Sequence, residues 1–154
     1  MKLCQIALIL GMIIFLIGCG APNDNDTSQS KPDNTHFQKI TTTGTMSQSI
    51  ANQAKEKLKK RESITAIYAI NTDKKLLIAF EIKHHKRFQL DSIRKNVRKQ
   101  MNKRFPDYKV NVSIDKRIVL DLKQLEKTIA KDKLSKKELK KKAKQEIKLM
   151  KDKT

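Results

Sequence analysis

The chain has 154 residues, enough for one small domain with appendages, and carries 35 Lys and Arg against 16 Asp and Glu, a net charge of +19. Tryptophan is absent and aromatics are 5%, so a core has to be built from Ile, Leu, Val, Ala and a few Phe. Of the two cysteines, Cys4 is expected to leave with a signal peptide and Cys19 to be consumed by lipid, which would leave no disulfide framework or thiolate metal site in the mature protein.

Met1-Lys2 is a minimal positive n-region, and Ile6 to Ile17 is an almost unbroken apolar run. That run is short for a bilayer span, which needs roughly 20 residues, and suits a signal peptide over 1–18. It ends in Leu16-Ile17-Gly18-Cys19, which resembles a bacterial lipobox. The Cys19 thiol would accept a diacylglyceryl group of palmitate-type chains, and the small Gly18 would let a peptidase cut just before it. Two acyl chains give stable membrane residence where one is marginal. Residues 19–45 follow as a lipidated cysteine and a tether rich in Asn, Asp, Ser, Thr and Pro, too polar to offset the entropy of ordering. A flexible coil of that length has an end-to-end distance of about 28 Å.

The folded domain is expected over 46–130. Thr45 or Ser47 is placed to cap a first helix whose Ile50, Ala54 and Leu58 form one stripe. Ser63–Ile70 and Leu76–Ile82 read as strands joined by a polar turn at Asn71–Lys74, a β-hairpin. Asp91 or Ser92 would cap a second helix carrying Ile93, Val97, Met101 and Phe105, and Pro106 stops it. Tyr108 to Ile114 alternates strictly, as a half-buried strand does. A third helix opens near Asp115, with Ile118, Leu122, Leu125 and Ile129 on one stripe. The order α-β-β-α-β-α predicts an α+β fold in two layers, with helices on one face of a three-stranded sheet.

A lysine-rich C-terminal helix is expected over 131–154. Ser135-Lys-Lys-Glu138 matches a capping box, with Leu134 and Leu139 as its staple. Leu139, Ala143, Ile147 and Met150 share a narrow arc, and Lys137, Lys140, Lys141, Lys144, Lys148 and Lys151 an adjoining one. Those six lysines are the candidate contacts for an anionic surface. The apolar arc is free either to pack on the domain or to lie on an anionic membrane.

Nothing in the sequence has the spacing of a catalytic or metal site. His36 falls in the tether, and His84 and His85 are adjacent at a strand end, pointing to opposite sides of an extended chain. There is no paired-carboxylate, nucleophile–base or phosphate-loop motif. No cofactor, no metal and no enzymatic activity are expected.

The segment from Met46 to Asp115 resembles the YhcN/YlaJ family of sporulation lipoproteins. The likeness is carried by Ala51-Asn-Gln-Ala54, Ser63-Ile-Thr-Ala-Ile-Tyr-Ala-Ile70, Leu77-Ile-Ala-Phe80 and Tyr108-Lys-Val-Asn-Val-Ser113. Ser63-Ile64 stands where the family usually has Gly-Val. The resemblance implies a spore-envelope protein affecting germination or outgrowth, and it brings no catalytic residues. The expected partners are the membrane, through the N-terminal lipid, together with anionic lipid, peptidoglycan, a teichoic-type polymer or another envelope protein. The alternatives are an extracytoplasmic nucleic-acid-binding module, weakened by few stacking aromatics, and a cell-wall hydrolase.

Overall fold

Two apolar runs form the antiparallel hairpin at the centre of the molecule, β1 (Ile64–Asn71) and β2 (Lys75–Ile82). The computed structural model describes residues 35–41 and 46–152. The expected signal peptide, Gly18, Cys19, the early tether and the Thr45 cap lie outside the described residues. A third strand, β3 (Lys109–Ser113), pairs parallel to β2, so the mixed sheet has the order β1-β2-β3. Four helices cover it: α1 (Ser49–Lys59), α2 (Leu90–Arg104), α3 (Lys116–Ala130) and α4 (Lys136–Asp152). The α+β class and the three-stranded sheet are those expected from the sequence.

The layering differs. Two layers were expected, and the helices occupy both faces of the sheet, which makes three. On one side α1 and α2 pack on Ile67, Ala69, Leu76, Ile78 and Phe80. On the other, α3 and α4 pack on Ala66, Tyr68, Ile70, Leu77 and Ala79. The cause is in the strands: β1 and β2 are apolar at nearly every position, and such strands are stable only with both faces covered. The alternating β3 shows Val110 to the α1–α2 side and presents Asn111 and Ser113 to the other.

Helix starts agree with the sequence in two cases and depart in two. Asp115 Oδ1 accepts from the backbone N–H of Arg117 (2.8 Å) and of Ile118 (3.3 Å), capping α3. At α4 the capping box forms: Glu138 Oε2 accepts from Ser135 N at 2.9 Å, and Ser135 Oγ accepts from Glu138 N at 3.3 Å. The first helix instead starts after Gln48, whose own amide is spent on Asn71 of β1; Ser47 Oγ still accepts from Ser49 N at 3.3 Å, and Asn71 Oδ1 accepts from Ala51 N at 3.0 Å. The second starts at Leu90, before Asp91 and Ser92, since a 3-10 helix (His84–Gln89) leads straight into it; Asp91 pairs with Arg94 at 3.2 Å.

Part of the expected tether belongs to the domain. His36 forms a parallel bridge to Ala66 along the outer edge of β1, and Ile40 is buried, its backbone N–H and C=O both bonded to the Asn52 side chain. An exposed strand edge leaves backbone groups unpaired. Along β1 they are met one after another: Ile67 N by His36 O, Ala69 N by Glu126, and Asn71 N by Gln48 Oε1.

Candidate anionic-ligand interface

The lysine-rich helix lies on the domain. Leu139, Ala143, Ile147 and Met150 are buried in the same core as α3, which turns the charged arc outward. Its first turns run past the β1–β2 turn, and together they line an open groove of about 560 Å³. Lys137, Lys140, Lys141 and Lys144 form one wall; Thr72, Asp73, Lys74 and Lys75 form the other. Six cations therefore face one carboxylate.

That carboxylate is already engaged. Asp73 accepts from Lys140 at 2.6 Å and lies 3.4 Å from Lys136, and the Lys140 hydrogen bond, followed by Lys136, holds its carboxyl below the usual range. Lys137, Lys141 and Lys144 form no ion pair with a carboxylate among the described residues. Lys148 and Lys151 are exposed farther along α4 and do not line the groove. Of six lysines expected to act together, the structure brings four together and adds Lys74 and Lys75. The signal for those two was the sequence Asp-Lys-Lys itself in a turn, which only tertiary packing sets against α4.

A second polar cluster is sealed. Lys55 of α1 is fully buried, its Nζ 2.9 Å from Glu126 Oε1 of α3 and also bonded to the Gln38 carbonyl. Burial, only partly countered by the pairing, pushes the Lys55 ammonium down and the Glu126 carboxyl up. The space beside the pair, lined by His36 and Tyr68, is about 40 Å³. Small-molecule sites run to roughly 300–1,000 Å³, and this smaller space lies beside a pair that ties helices to the sheet edge.

The three histidines are apart in role. His36 bridges β1 and its ring lies 3.5 Å from the Tyr68 hydroxyl, while His84 and His85 open the 3-10 helix. Among the described residues no three His, Cys, Asp or Glu side chains converge as metal ligands. Few aromatics are placed for stacking: Tyr68, Phe80 and Phe105 are buried and Tyr108 packs against the core, while Phe88 stands fully in solvent.

The described domain is a small α+β fold with an open, cation-lined groove. Residues 20–150 match the sporulation lipoprotein YhcN/YlaJ family, and the chain belongs to that family. It is a family of lipoproteins, held at a membrane by covalent lipid, and not a known enzyme family. No curated protein and no solved structure gives a significant match. Among the described residues no helix is long and apolar enough to cross a membrane.

Proposed function

We propose that this protein is a non-enzymatic lipoprotein of the spore envelope, anchored through Cys19, that influences germination or outgrowth by gripping anionic envelope polymer with its basic domain. The family membership supports sporulation and the lipid anchor. Leu16-Ile17-Gly18-Cys19 supplies the attachment point, cleavage falling between Gly18 and Cys19. The observation that carries the ligand class is the groove between α4 and the β1–β2 turn, where six lysines surround a single, already paired carboxylate. Phosphate or carboxylate groups repeated along a polymer would meet several of these cations at once, and such contacts weaken as salt screens them. A wide, open groove suits a polymer strand better than a small molecule, which needs an enclosed site.

The test is retention of the unlipidated mature protein, with Cys19→Ser, on purified spore peptidoglycan and on a glycerol-phosphate polymer. Binding is expected to fall with salt and to fall further in a Lys137→Gln, Lys141→Gln, Lys144→Gln variant. Retention that ignores both salt and the three substitutions would refute the groove as the site. Fluorescence of a tagged copy absent from spores would remove the envelope assignment.

A further inference from the structure

The segment joining β2 to α2 reads Lys83-His-His-Lys-Arg-Phe-Gln, with no acidic residue from Lys83 to Leu90. It forms the 3-10 helix, none of whose residues is buried. Phe88 projects from it with its whole surface in water, at 102% relative exposure. A lone phenylalanine ringed by cations gains nothing from solvent. It matches the two parts of an anionic bilayer: apolar interior for the ring, lipid phosphates for the charges. Lys116 at the start of α3 extends the cluster, lining a groove of about 390 Å³ with His84 and Arg87; Glu81 is the one carboxylate there.

The direction from which the chain enters the domain agrees independently. Thr35 Oγ1 donates to Ile64 O at 3.0 Å, Ile64 pairs with Ile82, and Lys83 N donates to Ser63 O at 3.0 Å. The segment that leads back to Cys19 therefore meets the domain at the end of the sheet that bears Phe88. The lysine groove is at the other end of β2, eight residues or roughly 25 Å away. Fifteen residues separate Cys19 from Thr35, enough for about 50 Å when extended, so the anchor permits contact without forcing it.

We infer that Phe88, with Lys83, Lys86, Arg87 and Lys116, is a second membrane contact that seats this end of the domain on anionic lipid. The groove at the far end is thereby turned toward the envelope. This orientation rests on the lipid anchor proposed above, and the loss of the anchor would show separately, as protein that fails to float with vesicles at all.

The chain has no tryptophan, so Phe88→Trp makes a single reporter. The lipidated protein is reconstituted in vesicles of phosphatidylcholine alone and of phosphatidylcholine with phosphatidylglycerol. Blue-shifted Trp emission, quenched by bromine-labelled lipid, is expected in the anionic vesicles and is expected to be lost when Lys83, Lys86 and Arg87 are changed to Gln. Lys74→Trp, in the β1–β2 turn at the far end, is expected to stay unquenched. Emission at position 88 unchanged in both vesicles overturns the contact, and an equal shift in neutral vesicles overturns the role of the cations. Equal quenching at position 74 overturns the orientation. A shift that follows protein density at fixed lipid composition assigns Phe88 to a second copy or another protein, and overturns the proposal.

Discussion

Lys55 Nζ lies 2.9 Å from Glu126 Oε1, although their helices cover opposite faces of the sheet. The pair closes over the outer edge of β1, where the same carboxylate oxygen accepts from Ala69 N at 2.7 Å. One carboxylate thus ties both helical layers to the strand between them. Removing the cation leaves a buried, unmatched charge, which costs about 3–5 kcal/mol. Lys55→Met is expected to lose that much in urea unfolding at neutral pH. Lys55→Met with Glu126→Gln should recover much of it, because the amide oxygen still serves Ala69.

The deficit of Lys55→Met has a pH signature. Burial already raises Glu126 above its ordinary 4.5, and the Lys55 charge is the main influence holding it down. Without that charge the folded-state value rises further, and the penalty applies in full only above it. As pH falls through the window from that raised value toward 4.5, the folded state holds a proton the unfolded chain does not, and stability is regained. Unfolding curves of the variant and its parent should therefore converge with acidification. A gap that widens would contradict the buried pair.

The core on the α3 side is completed by α4. A chain ending at Lys133 lacks Leu139, Ala143, Ile147 and Met150 and leaves Leu77 and Ile70 under-covered. It is expected to lose its cooperative thermal transition, whereas an appended helix would be dispensable. Ile147→Ala is a milder probe, with an expected cost of about 2–4 kcal/mol. An unchanged melting temperature in both would show α4 to be an appendage.

The α-helices and strands were legible, because the periodic stripes of Ile93, Val97 and Met101 or of Ile118, Leu122 and Leu125 are set by local geometry; the 3-10 helix at His84–Gln89 was not, since its residues carry no apolar period. The layer count was legible too, had weight been given to Leu77 and Ala79, which sit between Leu76, Ile78 and Phe80 and are just as buried. What sequence could not give was the pairing of distant parts. Lys55 and Glu126 are 71 residues apart, and neither stands out in a chain with 35 basic side chains. The groove is a similar case. The lysines of α4 were evident from their spacing, and their partnership with Lys74 and Lys75 depends on where α4 docks.

The capping box of α4 invites a quantitative check. Ser135 and Glu138 satisfy each other's backbone N–H groups at the entrance to a helix crowded with lysines. Ser135→Ala should lower stability by about 1 kcal/mol, visible as a few degrees in melting temperature. The Ser135 hydroxyl, then its backbone N–H, hold the Glu138 carboxyl below its usual value. A depressed carboxyl contributes above its unfolded-state value and loses that contribution as pH falls through the folded one. The substitution should accordingly matter less in acid, and an undiminished effect there would mean the box does not depend on the ionised carboxylate.

Asp73 is the internal competitor of any anion in the groove. Its carboxylate occupies Lys140 at 2.6 Å and Lys136 at 3.4 Å, and an incoming phosphate or carboxylate must displace it or share those cations. Asp73→Asn removes one negative charge without removing a lysine. Affinity for a glycerol-phosphate polymer should therefore rise, most at low salt, where the exposed charge is least screened. The variant should leave an immobilised polymer at higher salt than its parent, while Lys141→Gln with Lys144→Gln leaves at lower salt. Because Asp73 lies in an exposed turn, its loss is not expected to disturb the core, and circular dichroism of the two proteins should superimpose. Elution of Asp73→Asn at the parental salt concentration would place the polymer elsewhere on this basic surface.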